Sequence, residues 1–272
     1  MEIPLFPLHT VLCPGIALPL HVFEPRYRLM VERCVERSAP FGIVLLREGR
    51  EGAGKVAIAG VGTFAEIREA TLLPNGRYDL LVVGSGRFTV DEVDLGKEPY
   101  LVGHVTALDD EVGDATGATA LAARTMRRFV AYLQLLQPME GETADEIDVR
   151  VEIETETDPE DEPQPGADPI EVAAEDVAPG GAVADDDDPE RAAKLEEAAR
   201  RLVIPDDPTT LSYLLSGIIQ VDAVLRQRLL EADTTENRLQ ALDRLIDREL
   251  WMLRRRLRFF APDPRYDAVR RS

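Results

Sequence analysis

The chain is expected to fall in the α+β class: a mainly antiparallel β-domain carrying one helix, followed by a C-terminal α-helical bundle. Three observations support this. Between Phe41 and Leu108, short apolar runs are separated by turn residues with no helix-length segment among them, which argues against a doubly wound parallel sheet. From Thr116 onward apolar residues recur mostly three to five apart, close to the period of a helix with one buried face. Five prolines fall between Pro4 and Pro25, each fixing φ and removing a donor, so the chain must start as short extended pieces joined at corners.

In chain order, Pro14-Gly15 is a turn signal between Val11-Leu12 and Ile16-Ala17, which suggests two small strands folding back on each other. Pro25 opens a helix over Arg26 to Ser38, with Tyr27, Met30, Val31, Cys34 and Val35 on its apolar face. Strands are expected at Phe41–Leu46, Lys55–Ile58, Gly62–Ala70, Tyr78–Val83, Arg87–Val93 and Tyr100–Leu108, with Pro74-Asn75-Gly76 as a hairpin turn and Glu48 to Gly54 as a loop. A helix follows from about Thr116 to Gln137, closed by Pro138, with Arg124, Arg127 and Arg128 on its solvated side. Asp188-Pro189 and Asp207-Pro208 are cap and first-position pairs opening two more helices, the first ended by Pro205. A third spans about Asp222 to Ala232, and the last carries Leu239, Leu242, Ile246, Leu250, Leu253 and Leu257. These stripes should pack as a bundle.

The net charge of −20 is local. Of 51 acidic residues, 21 lie between Glu140 and Glu190, where Arg150 is the one basic residue; the remaining 30 acidic and 30 basic residues balance. Prolines, glycines and the run Asp185 to Asp188 give a composition that does not bury enough surface to offset chain entropy, so a solvated acidic insert is expected. Within it Ile147, Val149, Val151 and Ile153 alternate with polar residues, a strand period without a turn partner; disorder is the favoured reading. The expected organisation is therefore a β-domain at 1–112, a bundle at 113–139 and 189–260, an acidic insert at 140–188 and a tail at 261–272.

Several residue runs resemble one family. Pro4-Leu5-Phe6-Pro7-Leu8, Pro14-Gly15 and Leu18-Pro19-Leu20-His21-Val22-Phe23-Glu24-Pro25-Arg26-Tyr27 are similar to the start of the Lon substrate-binding domain. That is the N-terminal domain of the ATP-dependent Lon protease, which also occurs as a free-standing bacterial protein. The resemblance continues through Gly62 to Ile67, Gly76-Arg77-Tyr78 and Gly84 to Phe88, then Leu211-Ser212-Tyr213-Leu214, Arg226 to Glu231, and Arg238-Leu239 to Leu250. It implies a PUA-like β-barrel and a helical part, and it omits the acidic insert. The expectation is a stand-alone bacterial member lacking ATPase and peptidase modules.

Chemistry-bearing motifs are sparse. Nothing reads G-x-x-x-x-G-K-[ST], and Lys55, Lys97 and Lys194 are the three lysines, so no phosphate-cradling loop is present. Gly60-Val61-Gly62 and Gly84-Ser85-Gly86 imitate nucleotide loops but lead into strand-like sequence; bends or bulges are the better account. Ser85 lacks a nucleophile-elbow context. His9, His21 and His104 are too scattered to ligate a metal. The acidic insert lacks the glycine and terminal glutamate of a calcium loop. Cys13 and Cys34 form no C-x-x-C and read as small core groups in a reducing compartment. With no signal-like run or membrane-length apolar segment, a cytoplasmic location is expected.

The functional expectation is a non-catalytic recognition module without cofactor or metal. As the resemblance implies, it would bind unfolded or peptide-like protein segments, with a protease or chaperone as a further partner. An apolar groove or a free sheet edge would do this, with Phe6, Phe23, Tyr27 and Phe64 as candidate groove residues. Pro14, Gly15, His21, Glu24, Pro25 and Arg26 are the motif residues at the turn and the strand-to-helix corner, and His21 with Glu24 reads as a structural pair there. Two alternatives remain: RNA binding, as PUA-like barrels do elsewhere, which a neutral body and an acidic insert oppose, and a weak hydrolase using His21 and Glu24.

Overall fold

A computed structural model describes residues 1–47, 55–136, 170–173, 182–183 and 205–260. The expected strand at 147–153, the loop at 48–54, the helix opened by Pro189, the role of Pro138 and the tail at 261–272 lie outside the described residues.

The β-domain contains β1 (Glu2–Leu8), β2 (Ala17–Val22), α1 (Pro25–Arg37), β3 (Phe41–Arg47), β4 (Lys55–Leu72), β5 (Tyr78–Asp94) and β6 (Val102–Leu108). Helix α2 (Ala115–Leu136) follows, then two short strands, β7 (Ile170–Ala173) and β8 (Ala182–Val183), then α3 (Pro208–Ile218), α4 (Ala223–Glu231) and α5 (Thr235–Phe260). The sheet order is β7-β4-β3-β1-β6-β5-β2-β8, and a further β4–β5 pairing closes β4-β3-β1-β6-β5 into a ring. All pairings are antiparallel except β1 with β3. Parallel neighbours need a crossover connection; β2 and α1 provide it.

Inside the ring lies a cluster to which every ring strand contributes: Ile3 and Leu5, Val44 and Leu46, Ile58, Phe88 and Val90, and Val105. Five strands enclose little space, and glycines make room for the large side chains. A Cβ on Gly62 would lie 2.5 Å from the Phe88 ring and 2.6 Å from the Ile43 carbonyl oxygen, and one on Gly103 would lie 2.7 Å from Leu5. A second cluster covers the outside of the ring, where Tyr27, Met30, Val31 and Cys34 of α1 pack on Phe6, Leu8, Ile43, Leu80 and Val82 together with β2. Full burial of each large apolar side chain stabilises by roughly 1.5–3 kcal/mol, so α1 is a structural wall of this domain. Pro25 occupies its first turn, and Ser38 ends it in the left-handed region at φ 49°. Val35, expected on the apolar face, is exposed instead.

Two differences from the expected elements have clear causes. Val11-Leu12 and Ile16-Ala17 do not form a hairpin. Pro14 supplies no N–H, the Leu12 carbonyl accepts the Thr63 hydroxyl at 2.6 Å, and Gly15 and Ile16 bond instead to Gly84. Four expected strands are also fused into two, β4 and β5, because the glycine-rich breaks are bulges: the register shifts between Val44↔Gly62 and Leu46↔Ile58 in β4, and between Thr63 and Ala65 opposite Arg87 and Gly84 in β5. The Pro74-Asn75-Gly76 turn is present, with Gly76 at φ 77° and its N–H on the Leu73 carbonyl.

The bundle core combines Phe129 of α2, Leu211 and Leu215 of α3, Leu229 of α4, and Leu239, Leu242 and Ile246 of α5. The Asp207 carboxylate caps α3 by accepting from the Thr210 N–H, and Asp222 caps α4 in the same way through Leu225. Arg124 and Arg128, expected on a solvated face, reach across to the buried Asp243 of α5 at 2.6 and 3.1 Å and lock the two long helices in register. Among the described residues no helix is long and apolar enough to cross a membrane.

Candidate functional site

Among the described residues several stretches of ring strand have a ring neighbour on one side only: residues 66–72 of β4 pair with β5 alone, and Lys55–Ile58 of β4 has no β5 partner. β5 pairs with β4 from Leu72↔Tyr78 as far as Val61↔Thr89, then follows β6 to Asp94↔Val102. Ala57 and Ile58 of the Lys55–Ile58 segment pair with Arg47 and Leu46 of β3 on one flank, and the other flank has no ring partner. Unpaired edge groups of this kind accept a further strand. β7 occupies this edge, antiparallel, with Ile58↔Ile170 through Lys55↔Ala173 in register. Ile58 is fully buried, and Ile170 packs half-buried against the ring-interior cluster. Two short pieces of the segment expected to be unstructured are thus strands: β7 here, and β8 on the outer edge of β2 at Leu20 and His21.

The four candidate groove aromatics are not brought together. Phe6 and Tyr27 are fully buried and stack on each other with centroids 4.6 Å apart, beneath α1. They are core groups, because α1 turns their faces inward at the strand-to-helix corner. Burial pushes the Tyr27 hydroxyl up to about 12. Phe64 rests half-buried on Phe88 at 4.8 Å. Phe23 stands exposed just after β2. The register Leu72↔Tyr78↔Val22 sets exposed Leu72 two strands from Val22, about 10 Å at ordinary strand spacing.

His21 and Glu24 have separate partners. His21 lies opposite Asp79 in the β2–β5 register, and its Nδ1 is 2.6 Å from the Asp79 carboxylate. Glu24 accepts from Arg26 at 3.0 Å, and the Arg26 guanidinium sits over the Tyr27 ring. Pro14 bridges to Gly84, and Gly15 adopts φ 78°. Cys13 and Cys34 are buried and unpaired, and burial pushes each thiol up to about 11, so both are inert at neutral pH. Among the described residues no group of three His, Cys, Asp or Glu is arranged to hold a metal.

A polar seam between the β-domain and the bundle was not anticipated. Arg87 of β5 donates to the Leu230 and Ala232 carbonyls at 2.7 and 2.9 Å and pairs with Asp110 at 2.8 Å. Arg238 of α5 donates to the Leu229 carbonyl and the Ser212 hydroxyl, both at 3.0 Å. Gln227 donates to the Val61 carbonyl at 2.9 Å and to Glu231 at 2.8 Å. An apolar patch of Val11, Leu45, Ala59, Val61, Tyr213 and Leu230 backs this network. Beside it lies a cleft of about 300 Å³ lined by Val61, Arg87, Thr89, Leu108, Asp109, Glu111, Glu231 and Asp233. One signal was available: Arg238 lies four residues before Leu242, on the apolar stripe of α5, where an unpaired charge is costly and a built partner set is implied.

A family model described as the ATP-dependent protease La (LON) substrate-binding domain matches residues 2–248. The Lon protease of Parabacteroides distasonis is 31% identical over 116 residues, 42% of this chain and 14% of that protein. The Lon protease of Brevibacillus choshinensis is 28% identical over 148 residues, 54% of this chain and 19% of that protein. The matched stretch thus spans less than a fifth of these curated relatives. Among solved structures, the N-terminal domain of Mycobacterium avium complex Lon protease aligns with a TM-score of 0.54 at 16% identity, over 91% of this chain and 98% of that one. A Lon N-terminal domain protein from Xanthomonas campestris aligns with a TM-score of 0.50 at 20% identity, over 89% and 96%. These two share the fold. With the family model spanning β1 to the middle of α5, the chain belongs to the ATP-dependent protease La (LON) substrate-binding domain family.

Proposed function

We propose that the protein is a non-catalytic recognition module that binds unfolded or peptide-like protein segments in extended form, by strand addition at the β4 edge Lys55–Ile58. The observation that carries this reading is β7: a strand about 100 residues away in sequence pairs with this edge through backbone groups and seats one aliphatic side chain against the ring interior. An edge that accepts a strand remote in sequence has the two features of strand-addition sites, main-chain pairing for affinity and a side-chain pocket for selection. The family description, a substrate-binding domain, supports protein segments as the ligand class. Phe64 packs against the same interior cluster as Ile170, and exposed Phe23, beside the Leu72 end of β4, offers a separate apolar contact. A protease or chaperone would receive the bound segment. Two buried unpaired thiols fit a reducing, cytoplasmic setting.

The test is anisotropy of a fluorescein-labelled, reduced and carboxymethylated polypeptide titrated with the full chain. Saturable binding that changes little between 50 and 200 mM salt supports the reading. Binding of a labelled single-stranded RNA instead, with the steep salt dependence of phosphate contacts, overturns it.

A further inference from the structure

Resting on that reading, we infer that β7 is a built-in competitor: the acidic segment carries its own strand, docks it on the β4 edge, and must release it before an extended protein segment with a β-branched aliphatic residue can bind.

Four facts converge on β7. Its register places Ile170 directly opposite Ile58, and Ile58 is a fully buried member of the ring interior. Ile170 packs partly buried against that interior cluster. The strand is only four residues long, and a ladder so short, on one flank of a single neighbour, has little independent stability. It also belongs to a stretch with 21 acidic residues against one arginine, whose mutual repulsion opposes holding it compactly against the body. The edge is thus matched to an aliphatic, extended occupant, while the resident occupant is held weakly enough to leave.

Competition follows from mass action. If β7 is docked nine-tenths of the time, a ligand for the same edge binds about tenfold more weakly than to an open edge. An arriving segment must present an extended backbone and an aliphatic side chain opposite Ile58. The segment's charge adds selection, because a strongly acidic ligand meets the repulsion of the insert and a neutral or basic one does not.

The experiment compares three full-length chains: unmodified, Ile170→Asp, and a variant with residues 168–175 replaced by an equal number of Gly and Ser residues. Probes are the carboxymethylated polypeptide and a synthetic peptide of residues 168–175, with hydrogen exchange read at Lys55–Ile58 and, as a folding control, at Phe41–Arg47. Both variants should bind the polypeptide about tenfold more tightly than the unmodified chain. Amide protection at Lys55–Ile58 should fall in the variants while Phe41–Arg47 stays protected. The peptide should bind the Gly/Ser variant, restore that protection and be displaced by the polypeptide. Equal polypeptide affinities in all three chains, with no peptide binding, overturn the inference and leave the binding reading standing. Loss of polypeptide binding in all three overturns the binding reading, and the inference with it.

Discussion

The Arg238 guanidinium lies 3.9 Å from the centroid of the Tyr213 ring, fully buried where the bundle meets the β-domain. Its N–H groups are taken up by the Leu229 carbonyl, the Ser212 hydroxyl and the Ala232 carbonyl, and Asp110 is 3.7 Å away. Burial lowers its pKa from the ordinary arginine value, while the surrounding acceptors and the aromatic face favour the charge. Arg238→Ala should cost about 3–5 kcal/mol, as is usual when one partner of a buried charged set is removed. Urea unfolding of the full chain measures this, and a loss below about 1 kcal/mol is incompatible with the role assigned to Arg238.

Glycines that imitate a nucleotide loop should behave as packing glycines. A Cβ on Gly62 meets the Ile43 carbonyl oxygen at 2.6 Å, a backbone atom that has no rotamer to move, whereas a Cβ on Gly86 has its nearest neighbour at 3.9 Å. Gly62→Ala should therefore destabilise by about 1–3 kcal/mol, and Gly86→Ala should be tolerated. Thermal unfolding of the pair checks the contrast; equal effects would remove the steric argument.

Local periodicity made most of the fold legible. The α1 stripe, the Pro74-Asn75-Gly76 hairpin and the Asp207 cap rest on neighbours in sequence, and they appear where expected. The ring closure through the β1–β3 and β1–β6 pairs and the Arg87–Leu230 bond of the seam join residues 37 to 143 positions apart, which no local pattern encodes. The candidate aromatics illustrate the limit. Phe6, Tyr27, Phe23 and Phe64 share one chemistry, and only the turn at Glu24-Pro25 and the β4 bulge decide that two are core and two reach the surface.

Glu231 should make stability depend on pH. Burial raises its carboxyl above the ordinary 4.5, although Gln227 and Arg47 act in the opposite direction. A raised folded value means that the folded state holds the proton more tightly. The associated stability is present below the unfolded value and is lost as pH rises through the folded one. Glu231→Gln should therefore gain on the unmodified chain between pH 4 and pH 7. Denaturant titrations at the two pH values measure the difference, and a variant stability that falls relative to the unmodified chain as pH rises contradicts the assignment.

Asp207 works with the opposite sign. Its pKa is lowered, chiefly by the Thr210 hydroxyl and then by the Thr210 N–H that it caps. Its contribution is present above the ordinary value of 3.8 and lost as pH falls through the folded value. Asp207→Ala should cost about 1 kcal/mol at pH 7, the usual magnitude for an exposed N-cap. The cost should shrink near pH 2. A pH-independent cost would assign the effect to the hydroxyl packing of α3 rather than to the carboxylate.

The four aromatics separate stability from binding. Phe6 and Tyr27 lie ring to ring in the core under α1, so Tyr27→Ala should lose about 3–5 kcal/mol, the range for a deleted core aromatic. Phe23 is 40% exposed and lies just after the buried end of β2. Phe23→Ala should then leave stability within about 0.5 kcal/mol of the unmodified chain. Its effect should fall on affinity instead, by about fivefold for the carboxymethylated polypeptide, the scale of a partly desolvated aromatic anchor. Phe64→Ala is the intermediate case, because the ring packs on Phe88 and lies half-buried against the same interior cluster as Ile170. It should lose both stability and affinity. Parallel unfolding and anisotropy titrations of the three variants decide the matter: if affinity tracks stability across all three, the aromatics act only through the fold, and neither Phe23 nor Phe64 touches the bound segment.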